Sequence, residues 1–353
     1  MYSTLFHIPS RLNNDGWPLF GFGLLFAVWA LATVVATLWV TWRSGWQAAV
    51  KTLCVPLTLV AVMIVWVMPA LDDGAGIPIR GYGVMLLAAV AAGTWLSIVR
   101  GRTMGFDADT LISLGTQLFV WGIVGARAFY VIEYHEQFFV EGRSWLATLS
   151  DVVNVAAGGL VVFGSLPTAA IAAWLFARRR GLDLLKLADC IAPGLLVGLA
   201  LGRVGCFLNG CCYGGTCELP WAVTFPPESP PWFDQVQRGL LPNLPVEMVG
   251  RSLPVHPAQL YAAIDAAILA WLAVCFTPLC RRDGQIFALV ITIHPISRIL
   301  LEMIRVDEPP ALGTPFSISQ LISLLLLATG GLLWVVTFRR PPRVCFDSDS
   351  STG

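Results

Sequence analysis

Ionisable residues stand inside several long apolar stretches. Arg127 lies in GARAFYVIEY, Arg203 in LGRVGCFLNG, and Arg298 and Glu302 in HPISRILLEMIR. A charge among lipid-facing residues is costly, so it marks a cavity, a partner or a ligand. Arg298 and Glu302 are four apart and share one helix face. His294 extends that face one turn back, and Arg305 lies one turn further on. A guanidinium stays protonated and presents a planar fork that grips phosphate oxygens two at a time. For any single Arg, snorkelling or a structural ion pair explains the position as well. Three on separate stretches favour an anionic ligand, and a lipid phosphate at the membrane surface is the natural one.

The nine cysteines offer a second chemistry. Cys206, Cys211, Cys212 and Cys217 form a C-x4-C-C-x4-C cluster. Zinc ligands usually come as C-x2–4-C pairs, so this is not a standard zinc pattern and no metal is expected. On an oxidising face the cluster reads as one or two disulfides or as structural thiols, bracing the loop that carries it.

These residues need membrane helices to position them. Of 353 residues, 56% are hydrophobic and only 12% are charged, about half the usual share for a soluble domain. Lys plus Arg balance Asp plus Glu at 22 each, which excludes an electrostatic nucleic-acid binder. Fourteen Trp and nineteen Phe suit lipid-facing and interfacial surface. A span takes about 20 mainly apolar residues. Nine stretches qualify: 18–41, 52–70, 82–99, 109–132, 158–177, 188–208, 257–278, 284–303 and 317–338. The expected fold class is all-α, a polytopic integral membrane protein. A cleaved signal peptide is not expected, because the first apolar run exceeds the usual length and Arg11 is a weak basic start.

Charge predicts the orientation. With the N-terminus outside, thirteen of the 22 Lys and Arg fall in inner loops and the C-terminal tail, six in outer segments and three in spans. The positive-inside rule then gives N-out and C-in. Residues 209–256, rich in Gly, Pro and Trp, read as a folded extracytoplasmic head. The tail 339–353 is cytoplasmic, and its PPRVCFDSDSSTG end reads as disordered. WPLFGFGL at 17–24 and IPIRGYGV at 77–84 echo each other over a length too short to establish duplication.

At this level the motifs resemble the prolipoprotein diacylglyceryl transferase family. The matching segments are IRGYGVM at 79–85, GARAFYVIEY at 125–134, GGLVVFGS at 158–165 and GRVGCFLNGCCYG at 202–214. LPVHPAQLYA at 253–262, RILLEMIR at 298–305 and SISQLIS at 317–323 complete the order. The resemblance covers 79–338 and implies a seven-helix transferase core at 76–338 behind a two-span N-terminal extension at 1–75. It implies transfer of the diacylglyceryl group of phosphatidylglycerol to the lipobox cysteine of a prolipoprotein, forming a thioether and releasing glycerol 1-phosphate. No cofactor is implied. The partners are phosphatidylglycerol, prolipoprotein signal peptides and the bilayer. The setting is the bacterial inner membrane, with the active cavity toward the outer leaflet.

Carried over residue by residue, Arg203 matches the family's essential Arg, and Arg298 and Glu302 the pair on its sixth core helix. Tyr82, Asn209, Gly214, His256, Gln259, Tyr261 and Gln320 match further motif positions. Arg127 and Arg305 join them as substrate-binding candidates. Several positions depart from the pattern. Phe163 stands where the family often has a His proposed as base, Cys206 where it has Asn, and Cys211 and Ala262 where it has Glu. His294 replaces a Tyr. With Phe163 excluded as a base, His256 and His294 are the histidines near the implied site, and an arginine field that stabilises the thiolate is the other option. Three alternatives stand beside the transferase reading: an inactive or altered-specificity homologue, an anion or lipid transporter, and a membrane thiol oxidoreductase.

Overall fold

A computed structural model describes residues 4–11, 18–74, 76–139, 144–154, 158–242, 250–305 and 313–342. Most of the tail expected to be disordered, with Cys345, lies outside them. In chain order the elements are β1 (Thr4–Ile8), α1 (Leu24–Ser44), α2 (Trp46–Val62), α3 (Met68–Ala70), β2 (Ile77–Arg80), α4 (Gly81–Met104) and α5 (Ala108–Glu133). There follow α6 (His135–Phe138), α7 (Trp145–Val153), α8 (Val162–Arg180), α9 (Leu184–Asn209) and α10 (Pro230–Gln237). The last three are α11 (Ala258–Phe276), α12 (Gln285–Glu302) and α13 (Ile318–Arg339).

Seven helical segments among the described residues are long and apolar enough to cross a membrane. They are α1, α4, α5, α9, α11 extended to Leu279, α12 and α13. Two of the nine expected spans are missing from this set. The stretch 52–70 is broken: α2 contains Pro56 and runs into a π-helical turn at Met63–Val67 before α3. Proline removes a backbone donor, and a π turn re-registers the ladder, so neither piece is a full α-helical span. The stretch 158–177 forms helix only from Val162, and α8 ends in Arg178, Arg179 and Arg180 with Pro167 inside. Its apolar content is diluted at both ends.

The chain forms two compact units, Met1–Met85 with Leu208–Gly210, and Leu86–Phe207 with Cys211–Gly353. In the first, β1 and β2 pair antiparallel with His7 opposite Pro78 and Ile8 opposite Ile77, so the all-α expectation gains a small sheet. Helix α1 buries none of its residues within the chain. Trp42 is 84% exposed and Leu31 69%, as on a helix solvated by lipid.

In the second unit, α9, α11 and α12 share a core of Ala192, Leu196, Leu269, Ala273, Ile286 and Val290. A second core joins α5, α8 and α9 through Leu111, Leu114, Phe176, Leu187 and Cys190. Small residues set the crossings, as membrane helices require. A Cβ on Gly93 would stand 2.7 Å from the Gly194 carbonyl oxygen, and one on Gly164 2.2 Å from that of Gly125. At one end, buried Asp189 accepts from the backbone N–H groups of Gly284 and Phe287 and so caps α12. Arg100 donates there to the Asp189 and Cys190 carbonyls and to Thr277. The opposite end, where α9 and α12 stop and α11 and α13 begin, carries the candidate site.

The segment between α9 and α11 folds on itself around Tyr213, Phe225 and Val255. Phe225 and Ser252 exchange bonds, and buried Gln235 accepts from the Leu253 N–H. Residues 243–249 of this expected head lie outside the described residues.

Candidate active site

The last turn of α12 supplies the centre. Glu302 is 7% exposed, and its Oε2 lies 2.8 Å from Nη1 of Arg298 and 3.5 Å from Nη1 of Arg305. The i,i+4 and i,i+3 offsets place both cations over one carboxylate, as the sequence spacing predicts. Its other oxygen accepts from the Ser317 hydroxyl at 3.2 Å. Ser317 is the N-cap of α13. Its Oγ accepts from the Gln320 N–H, and Gln320 Oε1 accepts from the Ser317 N–H, a full capping box. Gln320 therefore reaches the site through Ser317. Arg298 also donates from Nη2 to Ser319 at 2.9 Å.

Arg305 continues past the helix into a bridge with Gly214. Gly214 donates to the His256 carbonyl at 3.0 Å, and Gly215 to that of Ile304 at 2.9 Å. A Cβ on Gly214 would stand 2.7 Å from that of His256 and 3.2 Å from Ile304 Cγ2. Only a glycine lets the three backbones approach this closely. His256 Nδ1 lies 3.5 Å from the Tyr261 hydroxyl, which accepts from Trp221 Nε1 at 2.7 Å. Gln259, 1% exposed, donates from Nε2 to the Cys211 carbonyl at 2.7 Å.

Arg203 sits in the penultimate turns of α9. Among the described residues no hydrogen bond or ion pair occupies its guanidinium, and its charge acts on both His294 and Cys212. His294 Nδ1 is 3.9 Å from Asp265 Oδ2, beyond direct hydrogen-bond reach. Ser297 donates to the same carboxylate oxygen at 2.8 Å. Asp265 was not singled out from the sequence. The signal was available: it is the one charged residue in the apolar stretch 257–278.

All four clustered cysteines are thiols, not disulfides, and three of them gather. The sulfurs of Cys206, Cys211 and Cys212 lie within 4.8 Å of one another, and Cys217 is not in the group. Gly210, just past the end of α9, has φ +78°, and Cys211 N–H returns to the Cys206 carbonyl at 3.2 Å. This closes the helix as a left-handed cap. Hydrogen bonds from Cys206 and Cys211 hold the Cys212 thiol well below the ordinary thiol range. The Arg203 and Arg305 charges act in the same direction, and burial opposes them.

Arg127 stands elsewhere. Its guanidinium is buried and donates to four carbonyls, those of Asp151, Val152, Gly158 and Gly159, at 2.5 to 2.9 Å. Its face covers Tyr130 and Phe138 at 5.3 Å. Tyr82, at the start of α4, is 40% exposed, and Asn209, the last residue of α9, is exposed; both belong to the first unit.

A family model described as prolipoprotein diacylglyceryl transferase matches residues 69–336, most of the chain. The chain belongs to that family. Three relatives, each named phosphatidylglycerol–prolipoprotein diacylglyceryl transferase, bracket the similarity. The protein of Rhodopirellula baltica is 37% identical over 252 residues, which are 68% of this chain but only 50% of that protein. That of Gloeobacter violaceus is 31% identical over 271 residues, 76% of this chain and 92% of the relative. That of Clostridium tetani is 27% identical over 262 residues, 74% and 94%. The match begins after most of α1–α3, so the first unit is largely outside the family's shared segment.

Proposed function

We propose that this chain transfers the diacylglyceryl group of phosphatidylglycerol to the lipobox cysteine of a prolipoprotein, with formation of a thioether and release of glycerol 1-phosphate. The observation that carries the reading is the excess of positive charge at one end of the second unit. Arg298 and Arg305 share one carboxylate, and among the described residues Arg203 is committed to none. The leaving group is a phosphate ester, and fixed guanidinium groups stabilise charge as it builds on the departing oxygens. Arg203 and Arg298 are the phosphate ligands. Glu302 orients Arg298 and is not the base, since its oxygens are already engaged by Arg298, Arg305 and the Ser317 hydroxyl. The acceptor thiol attacks the glyceryl carbon as its bond to the phosphate oxygen breaks. His256 and His294 are the candidate acceptors of its proton, with the arginine field as the other way to favour the thiolate.

Tyr261 and Arg305 frame the site. Gly214, Gln259 and Gln320 hold its loops and helix ends in place. We place the cluster at the outer leaflet of the bacterial inner membrane, with the N-terminus outside. The opposite helix ends support this, for they carry Arg178–Arg180, Lys186, Arg281, Arg282, Arg339 and Arg340. With the stretch 52–70 and α8 also traversing, the chain makes nine crossings. The 19 residues of α8 rise roughly 28 Å, close to the hydrocarbon thickness.

The test is expression in cells depleted of their own transferase, with lipidation of a lipobox substrate as readout. Wild type restores lipidation. Arg203→Ala and Arg298→Ala insert normally and do not. Full lipidation by either variant overturns the assignment.

A further inference from the structure

Three gathered thiols, with the charges of Arg203 and Arg305 acting on one of them, are a group the proposed transfer leaves unused. Their gathering is built by the backbone. Gly210 turns the chain back over the end of α9, and Cys212 itself adopts φ +60°, a left-handed conformation that side chains other than glycine seldom take. Cys211 N–H returns to the Cys206 carbonyl, and buried Gln259 holds the Cys211 carbonyl from α11. The sulfurs, from one helix end and one turn, thereby lie within 4.8 Å of one another. Thiolates bind zinc at about 2.3 Å, which puts the sulfurs of a tetrahedral set roughly 3.8 Å apart.

We propose that Cys206, Cys211 and Cys212 form a site for a zinc-class thiophilic cation, with its fourth coordination position open to an incoming ligand. Three thiolates and a divalent ion sum to one negative charge, and Arg203 and Arg305, whose charges already act on Cys212, offset it. Three protein ligands with an open fourth position is the arrangement of a reactive zinc rather than a structural one.

On the transferase reading of the preceding subsection, the fourth ligand is the acceptor cysteine. Its sulfur binds as thiolate, and the displaced proton passes to water. The bound sulfur then forms its bond to the glyceryl carbon. The bond from that carbon to the phosphate oxygen breaks, and glycerol phosphate leaves with the electron pair. This gives the chain a way to present a thiolate where Phe163 stands in place of the family's usual histidine.

The test begins with binding, which does not depend on turnover. The purified full chain in detergent, stripped with a chelator and desalted, is titrated with Cd²⁺ and separately loaded with Zn²⁺. Expected are a thiolate-to-cadmium charge-transfer band saturating at one equivalent and zinc retained through desalting. Bound zinc should also protect Cys206, Cys211 and Cys212, but not the remaining cysteines, from maleimide in peptide mapping. Cys211→Ser with Cys212→Ser abolishes band and retention at an unchanged melting temperature. No band, no protection, or a disulfide within the trio in the isolated protein overturns the site.

The second arm measures lipidation of a lipobox peptide, where chelation should slow transfer about tenfold or more and Zn²⁺ should restore it. Bound zinc with a rate indifferent to chelation overturns the acceptor role and leaves the site standing. Bound zinc with no lipidation under any condition counts against the transferase reading instead.

Discussion

Arg127 and Arg203 are both cations within predicted spans, and the structure gives them opposite environments. Arg127 spends its donors on four carbonyls of the segment before α8. Gly159, at φ +73°, makes room for it, because a Cβ there would stand 2.7 Å from Nη1. Among the described residues Arg203 makes no such bonds, and its field falls on the cysteine turn and His294. An intramembrane arginine is thus not a functional signal by itself. What separates a clamp from a ligand site is whether its donors are already taken.

The comparison breaks first at Arg203. Replacement by Ala should cut transfer by about 10²–10³-fold with normal insertion, the size expected for loss of one preorganised donor to a developing anion. Arg203→Lys should recover little, since the fork is lost. A variant within a few-fold of wild type would make Arg203 a bystander.

Arg127→Ala should do the reverse. It leaves buried carbonyls without donors and should lower stability by about 3 kcal/mol or more, read as a drop in melting temperature and yield. Activity per folded molecule should stay near wild type. Selective loss of activity at full stability would move Arg127 into the ligand site.

A smaller effect tests the shared carboxylate. Glu302→Gln keeps the Ser317 contact and should retain part of the activity with an unchanged pH optimum. Loss of a limb of the pH–rate profile would make Glu302 a proton carrier.

Smaller still is the double variant His256→Gln, His294→Gln. If a histidine takes the thiol proton, the rate should lose its acid-side dependence between about pH 6 and 9. An unaltered rate and profile would leave the thiolate to the cations.

The sequence already exposes the cationic face of α12. The offsets from His294 through Arg305 are local, and a helix is the only backbone that satisfies its own polar groups in lipid. Seven of the nine expected spans reappear for the same reason. The two that do not are where hydropathy averages over a local event: Pro56 with the π turn after α2, and Gly158–Val161 before α8. Partner identity was not legible. Nothing in the spacing tells that Arg127 faces carbonyls, that Ser317 and Ser319 complete the Glu302 cluster across 15 to 21 residues, or that Gly214 matters for clearance. The gathering of three thiols without Cys217 depends on the handedness of the turn at Gly210, which a count of intervening residues does not reveal.

The capping box at Ser317 has a consequence for how the protein is made. Ser317 fixes the first turn of α13 and donates a hydrogen bond to Glu302, so a helix made after the carboxylate-bearing α12 is the one that finishes the charged cluster. Until it inserts, a carboxylate and its guanidinium partners stand at the edge of an incomplete bundle without one wall. The nascent chain is then a ready client for whatever factor shelters polar groups during membrane insertion, and a truncation after α12 should be cleared by quality control rather than survive as a weak enzyme.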